Sequence, residues 1–398
     1  MSVNKSSPLE NRMLPLDGLR GLAATTVICY HINPDSQLLC WAWTLVDLFF
    51  VISGFLIGSI IYRGLREDRL QLKYFWIRRV LRVWPVYFMT LGTVLFLSAV
   101  WPDFAGRTLV FKEIFKSLFF IQFTGGYIHP GANWFGVLAG YVPWFGHSWS
   151  IAAEEQFYIL MPLILLVIGI STRRIFIAAL VAIAVAQLML VYLNYVPGLL
   201  GTRMQGLALG LALVPLSHWL TQPQVDMPNA RRNALWLLGV SFVIGALIVG
   251  PSFAQVLPAM SSGRVFDAAQ GEILMRRSVL GMALVYFAFC GYLIAYPKSF
   301  AGRFLSMKIP VYLGGISYAL YMFHVPIEGV FVTLLKDYLS NVSWMMLGAY
   351  WIVVIGLAHL SRIFVENRFN NMKDRFPVYR KKVSTDAQHT LAALPETR

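Results

Sequence analysis

Charged residues are scarce in this sequence, and acidic residues are scarcer than basic ones. Only 13% of the 398 residues are charged while 58% are hydrophobic, and 19 Asp and Glu stand against 33 Lys and Arg. A soluble domain carries about twice that charged fraction. The shortage therefore argues against a soluble protein.

Cysteines are also few, and nothing in the sequence divides it into separate domains. The three cysteines Cys29, Cys40 and Cys290 lie in or beside apolar segments. Their spacing is not typical of metal ligands, so we expect free thiols and no metal site. Because no internal repeat or Pro/Ser-rich linker is present, we predict one membrane domain over residues 1–370 and a flexible cytoplasmic tail over 371–398.

Long apolar runs are what the sequence has in abundance. A hydrocarbon layer of about 30 Å needs about 20 helical residues to cross it. The runs predict an all-α polytopic membrane protein with about ten transmembrane helices. They lie at 14–32, 39–62, 83–101, 149–170, 175–196, 199–220, 234–250, 278–296, 310–335 and 343–364. A shorter piece at 114–123 contains Lys116 and is too short to cross, so we expect a re-entrant or interfacial segment.

Basic residues are distributed unevenly between the predicted loops. With the N-terminus inside, 25 of the 33 Lys and Arg lie in inner segments or at the inner ends of spans, including seven in the loop 63–82. Cytoplasmic loops carry such an excess. We therefore predict that both termini are cytoplasmic, in a multi-pass protein of the inner (plasma) membrane. The charge of +14 is explained by this rule without a nucleic-acid partner.

The first predicted span contains an arginine and a histidine, Arg20 and His31. Eleven helical residues turn through about 1100°, so the two side chains share one face, about 16 Å apart along the axis. Ionisable residues at membrane depth often mark a pathway or a site inside the protein. Alternatively, Arg20 reaches the inner interface and His31 simply ends the helix.

Three carboxylates are predicted near the depth of His31. Asp47 follows the outer start of the second span, where it pairs with His31 or accepts backbone hydrogen bonds. Glu154 and Glu155 lie about one turn into the fourth span, and Glu154 shares a helical face with Tyr158, four residues further on. The helix dipole favours carboxylates in a first turn, which explains one glutamate better than two.

Further polar residues indicate two binding regions. Arg79 and Arg82 lie among aromatic residues, an arrangement typical of a helix on anionic lipid or of a phosphate site. Tyr321 and His324 share one face of the ninth span, above the helix-breaking Pro326, and indicate a site lining. Arg203, at the outer start of the sixth span, faces either an outer cavity or lipid headgroups.

Several segments, in order, resemble the acyltransferase-3 family of bacterial integral-membrane O-acyltransferases over residues 12–370. They are "LDGLRGLAATTVICYH", "VDLFFVISGFLIG", "RRVLRVWPVYF", "HSWSIAAEEQFYILMP", "GISYALYMFHVPI" and "FVENRFN". The resemblance implies transfer of an acyl group from cytoplasmic acyl-CoA, with acetyl-CoA expected, to a hydroxyl of a surface or lipid-linked glycan. It implies a donor substrate and no tightly bound cofactor.

The resemblance also implies roles for individual residues. His31 matches the catalytic histidine of the family's R-x10-H motif, and Arg20 matches its acyl-CoA-contacting partner. Arg79 and Arg82 match a cytoplasmic R-x-x-R motif that binds the donor. Glu154 and Glu155 match a double acidic position.

The remaining roles are our own hypotheses and are not implied by the resemblance. His31 is expected to act as a general base or to form a transient acyl intermediate, and Glu154, Glu155 or Asp47 is expected to orient it. Tyr321, His324 and Arg203 are expected to contact substrate, with Tyr321 as a candidate oxyanion stabiliser.

Four possibilities for the function stay open at this point. Many family members carry an extracytoplasmic hydrolase-like domain, but here only the tail follows the last span and no Gly-Asp-Ser sequence occurs. The membrane domain then transfers the group directly, or a separate extracytoplasmic transferase completes the reaction. Rival readings are a multi-span transporter and a non-catalytic subunit of a glycan assembly complex.

Overall fold

The computed structural model describes residues 13–33, 39, 41–106, 110–122, 142–193, 200–221, 229–261, 268–335 and 344–380. Within these ranges the chain forms helices and no β-strand. The helices are α1 (Leu14–Ile32), α2 (Leu45–Arg66), α3 (Leu72–Val100), α4 (Pro102–Ala105), α5 (Phe111–Leu118), α6 (Trp149–Ile168), α7 (Thr172–Gln187), α8 (Leu200–Thr221), α9 (Ala230–Ser261), α10 (Ala268–Ala295), α11 (Phe300–Leu305), α12 (Lys308–Leu335), α13 (Trp344–Ser361) and α14 (Asn367–Met372).

Each of the ten predicted spans contains a helix in the described residues, and the all-α polytopic fold class is confirmed. Eight helices in the described ranges are long and apolar enough to cross a membrane. The other two, α1 and α8, have 19 and 22 residues and are not among these eight. Most residues of α8 are buried inside the bundle. That these two helices also cross stays a prediction.

The basic segment 63–82 is more helical than the sequence predicts. Helix α2 continues to Arg66 and α3 already begins at Leu72, so a short turn replaces most of the expected loop. A short re-entrant or interfacial segment is predicted at 114–123, and α5 overlaps its first part. The eight residues of α5 extend about 12 Å and cannot cross a membrane. The rest of that region, 123–141, lies outside the described residues.

Part of the predicted tail packs against the turn between α2 and α3. The backbone of Tyr379 pairs with that of Leu70, and the Tyr379 hydroxyl donates to the carbonyl oxygen of Ile60 at 3.1 Å. Arg78 of α3 donates to the carbonyl oxygens of Lys373 and Phe376. Residues 373–380 therefore form a strap across this end of the bundle, while 381–398 lie outside the described residues.

Glycines allow two pairs of parallel helices to pack with their backbones in contact. A Cβ added to Gly314 of α12 would overlap the carbonyl oxygen of Asp17 in α1. A Cβ added to Gly210 of α8 would overlap the carbonyl oxygen of Val51 in α2. Small residues permit such close approach between membrane helices. These contacts fix α12 beside α1 and α8 beside α2, and the two pairs carry most of the candidate site.

We expect Gly314→Ala to destabilise the protein by about 1–3 kcal/mol, because the added methyl group must push two backbones apart. The matched control is Gly92→Ala in α3, since nothing lies within 4 Å of a Cβ there. An exposed helical glycine replaced by alanine gains helix propensity, so the control should be neutral or slightly stabilised. Thermal unfolding of the two purified variants tests this, and equal melting temperatures would contradict the packing described above.

Candidate active site

One cavity of about 770 Å3 lies between α1, α2, α3, α6, α8 and α12. Five arginines from the first three helices line it, and we call this side of the cavity the arginine end: Arg20, Arg63, Arg66, Arg79 and Arg82. Along α6 the lining passes from Tyr158 through Glu154 to Ser150, where Tyr321 of α12 also contributes. The cavity therefore extends from the arginine end to Ser150 and Tyr321.

The three arginines of α3 differ in their hydrogen bonds and their exposure. The Nε of Arg79 is buried without a hydrogen-bond partner among the described residues, and its guanidinium lies 6.0 Å from the ring of Tyr158. Arg82 lies exposed at the same mouth. Arg78 points instead to the strap, where it donates to two backbone carbonyls. Arg79 and Arg82 thus have donors available to a ligand, whereas Arg78 uses its own in the fold.

Glu154 lies in the cavity among these arginines. Its carboxylate accepts hydrogen bonds from the Ser53 hydroxyl at 2.7 Å and from the Tyr158 hydroxyl at 2.6 Å. It also interacts electrostatically with Arg20 and Arg82. The predicted shared face of Glu154 and Tyr158 is therefore present, and the carboxylate balances part of the charge at the arginine end.

Glu155 faces a different helix from its neighbour. Consecutive helical residues differ by about 100°, so two adjacent glutamates cannot line one wall. Glu155 is 7% exposed and accepts a hydrogen bond from the indole N–H of Trp84 at 3.1 Å. It does not line the cavity described above.

Asp47 has a partner that the sequence analysis did not consider. The Nη1 of Arg203 donates to both oxygens of Asp47, at 3.0 and 2.9 Å, and neither side chain is more than 2% exposed. Arg203 also lies over the ring of Trp149 at 5.0 Å. Both predicted settings of Arg203, an outer cavity and lipid headgroups, are therefore wrong, because its charge is compensated inside the protein. The prediction that Asp47 pairs with His31 or with the backbone is also wrong, because its carboxylate binds Arg203.

Three imidazoles meet beyond Tyr321, and we call them the histidine cluster: His31, His147 and His324. The ring centroid of His324 lies 4.9 Å from that of His31 and 5.1 Å from that of His147. A ring nitrogen of His147 donates to the carbonyl oxygen of Met322 at 3.2 Å, and one of His324 donates to that of Tyr321 at 2.6 Å. The cluster is thus anchored to one turn of α12.

Tyr321 separates the cavity from the histidine cluster. Its hydroxyl donates to the carbonyl oxygen of His147 at 2.8 Å and accepts from the Ser150 hydroxyl at 2.9 Å. Its ring lies 5.4 Å from those of both His147 and His324. Because Tyr321 lines the cavity and also touches the cluster, the two regions are neighbours across a single side chain.

His147 is the main residue that the sequence analysis missed. It precedes the fourth predicted span at the outer side, and therefore lies at the depth assigned to His31. The depth argument applied to every histidine would have found it. Its setting depends on a buried network in which the Gln122 amide donates to the hydroxyls of Tyr87 and Ser148. Such contacts between distant segments leave no mark in the local sequence.

The arrangement suits binding of an anion at one end and proton transfer at the other. Arginines bind phosphates through charged, often bidentate hydrogen bonds. Imidazoles are the commonest general bases. Among the described residues, no three His, Cys, Asp or Glu side chains are grouped so as to hold a metal ion. The predicted site residues do not all meet in one place. Asp47 and Arg203 form a buried pair of their own, and Glu155 bonds to Trp84 outside the cavity lining.

Comparison with known proteins adds a family match. A family model described as an acyltransferase domain matches residues 14–361. The O-acetyltransferase OatA of Staphylococcus aureus (strain NCTC 8325) is 30% identical over 338 residues, which are 79% of this chain and 51% of that protein. The peptidoglycan O-acetyltransferase OatA of Listeria monocytogenes is 26% identical over 392 residues, which are 90% and 57%. The chain spans about half the length of the curated relatives it matches, and no solved structure matches it.

Proposed function

The chain belongs to the acyltransferase-3 family, and on that premise we propose that it is a membrane O-acetyltransferase acting on a glycan. The donor in this proposal is cytoplasmic acetyl-CoA, and the acceptor is a hydroxyl of a cell-surface or lipid-linked saccharide. The observation that carries the proposal is the cavity between α1, α2, α3, α6, α8 and α12, with arginines at one end and the histidine cluster beyond the other.

The arginine end supports a phosphorylated donor. Arg20, Arg79 and Arg82 come from two helices and line one mouth, where like charges repel each other in the absence of an anion. The 3′-phosphate and diphosphate of coenzyme A supply such anions. We place this end in the cytoplasm, as the basic residues predict, so that both termini lie there and the protein crosses the inner (plasma) membrane.

The histidine cluster supports the chemical step. In the proposal the acyl arm of the donor runs through the cavity toward Tyr321, and His31 removes the proton of the acceptor hydroxyl. The acceptor oxygen bonds to the acyl carbon, the carbon–sulfur bond breaks, and the thiolate takes the proton from His31. A separate extracytoplasmic transferase that accepts the group first fits the same site equally well.

The acceptor class comes from the relatives alone. The Listeria relative is named for O-acetylation of peptidoglycan, and both relatives for O-acetyl transfer. A surface glycan is therefore the acceptor that we propose for this chain. Purified protein in detergent, given radiolabelled acetyl-CoA and peptidoglycan fragments, should transfer label. Uptake of a solute by proteoliposomes without any transfer would favour the transporter instead.

We expect Arg79→Ala to raise the KM for acetyl-CoA by about 10- to 100-fold, because one charged hydrogen bond contributes about 1.5–3 kcal/mol. The control is Arg78→Ala on the same helix. It removes one positive charge as well, but Arg78 donates its hydrogen bonds to the backbone of the strap. Its KM should stay within about threefold of the parent value. Equal increases in the two variants would contradict the assignment of Arg79 to the donor site.

A further inference from the structure

We infer that His324 is the residue that orients His31, in the position where many enzymes place a carboxylate. This inference rests on the proposed function for its catalytic meaning, but its structural content can be tested separately. The hydrogen bonds of the histidine cluster assign one proton to the ring of His147 and one to the ring of His324.

Two imidazoles of the cluster each have one bonded and one open nitrogen. A carbonyl oxygen only accepts, so the nitrogens facing one must carry a proton. These are Nδ1 of His324, facing Tyr321, and Nε2 of His147, facing Met322. Their other nitrogens, Nε2 of His324 and Nδ1 of His147, are buried and have no partner among the described residues. A proton there would be an unsatisfied buried donor, so each open nitrogen presents a lone pair.

His324 is better placed than His147 to serve His31. Its ring is the central one, at 4.9 Å from His31 and 5.1 Å from His147. It is fully buried, and its bonds to α12 fix the ring, since Nδ1 is held within its own turn. Tyr350 further holds the same turn by donating to the His324 carbonyl oxygen at 3.1 Å. His31 itself is partly exposed and free to face an incoming hydroxyl.

The predicted carboxylates are engaged elsewhere. Asp47 binds Arg203, Glu154 binds Ser53 and Tyr158, and Glu155 binds Trp84. One further carboxylate, Glu328, lies a turn beyond His324 and interacts electrostatically with Tyr350. Glu328 is therefore the rival to His324 for this role.

The step follows from these assignments. In the proposed reacting complex, one ring N–H of His31 turns to the open Nε2 of the adjacent His324 and donates to it. The lone pair on the other nitrogen of His31 is then directed at the acceptor hydroxyl. As His31 takes the hydroxyl proton, its positive charge is shared through the hydrogen bond with His324. When the thiolate leaves and recovers that proton, both imidazoles return to their starting tautomers. His324 acts through His31 and is a positioning residue.

Two substitutions separate this role from a structural one. His324→Asn keeps a donor near the Nδ1 position for Tyr321 but loses the acceptor at Nε2. His324→Gln places an amide oxygen near Nε2 that can still accept from His31. We expect the His324→Asn variant to have a kcat at least about 10²-fold lower, because the loss of a group that orients a catalytic histidine lowers kcat by such a factor. Its KM for acetyl-CoA should change little. Gln should retain activity within about tenfold of the parent.

A second measurement does not depend on activity. Nitrogen-15 NMR of protein labelled at its 7 histidines should show His324 protonated at Nδ1 only. In the Asn variant, the signal of His31 should change from one tautomer to a mixture. Protonation of His324 at Nε2, equal loss of kcat in the Asn and Gln variants, or loss of kcat in Glu328→Gln with normal activity in His324→Asn would overturn the inference. If the parent protein transfers no acyl group, the proposed function fails, and the NMR result alone then decides the inference.

Discussion

Replacing His31 with alanine should lower the rate of acetyl transfer by about 10²- to 10⁴-fold, which is the usual contribution of a general base. The KM for acetyl-CoA should hardly change, because the proposed donor site lies at the arginine end, where Arg20 is about 16 Å from His31 along α1. Transfer of label from acetyl-CoA to peptidoglycan fragments by equal amounts of purified protein measures both parameters.

The matched control for this experiment is His359→Ala. His359 is exposed on α13, and its ring is hydrogen-bonded to the hydroxyl of Tyr312 at 2.8 Å. The substitution therefore removes an imidazole far from the histidine cluster. Its activity should equal that of the parent. A His31→Ala variant with retained transfer would remove the central claim of the mechanism, whereas equal losses in both variants would point to general damage.

Asp47→Ala should destabilise the protein by about 3–5 kcal/mol, because it removes the carboxylate that compensates the buried charge of Arg203. Both side chains are almost completely inside the protein, at 0% and 2% exposure, so neither charge can recover its hydration. The loss should appear as a lower melting temperature in detergent and as less protein in the membrane.

The double substitution Asp47→Leu with Arg203→Met tests whether the loss in Asp47→Ala comes from the buried charge of Arg203. Replacing a buried ion pair by apolar side chains of similar size is often neutral or stabilising, so the double variant should fold at least as well as Asp47→Ala. If the pair only joins α2 to α8, the double variant should also keep its acetyl transfer. A well-folded double variant without activity would instead support the predicted catalytic role of Asp47 and the substrate contact of Arg203.

The spacing of Arg20 and His31 shows how far local geometry reaches. Both residues belong to one helix, so the period of the helix fixes their relative direction and distance before any packing is known. The same argument grouped Glu154 with Tyr158, and a hydrogen bond of 2.6 Å joins them. It failed for the pairing of Asp47, since the partner lies 156 residues away on α8.

The sequence by itself determined the class of fold, the positions of the helices and the family. Apolar length requires spanning helices, because hydrocarbon satisfies no backbone hydrogen bond and each segment must satisfy its own. The tertiary structure decided which polar side chains meet. It paired Asp47 with Arg203, turned Glu155 toward Trp84 and brought His147 to His31 and His324. Such contacts depend on which faces of distant helices touch, and glycines such as Gly210 and Gly314 set those faces through close backbone packing.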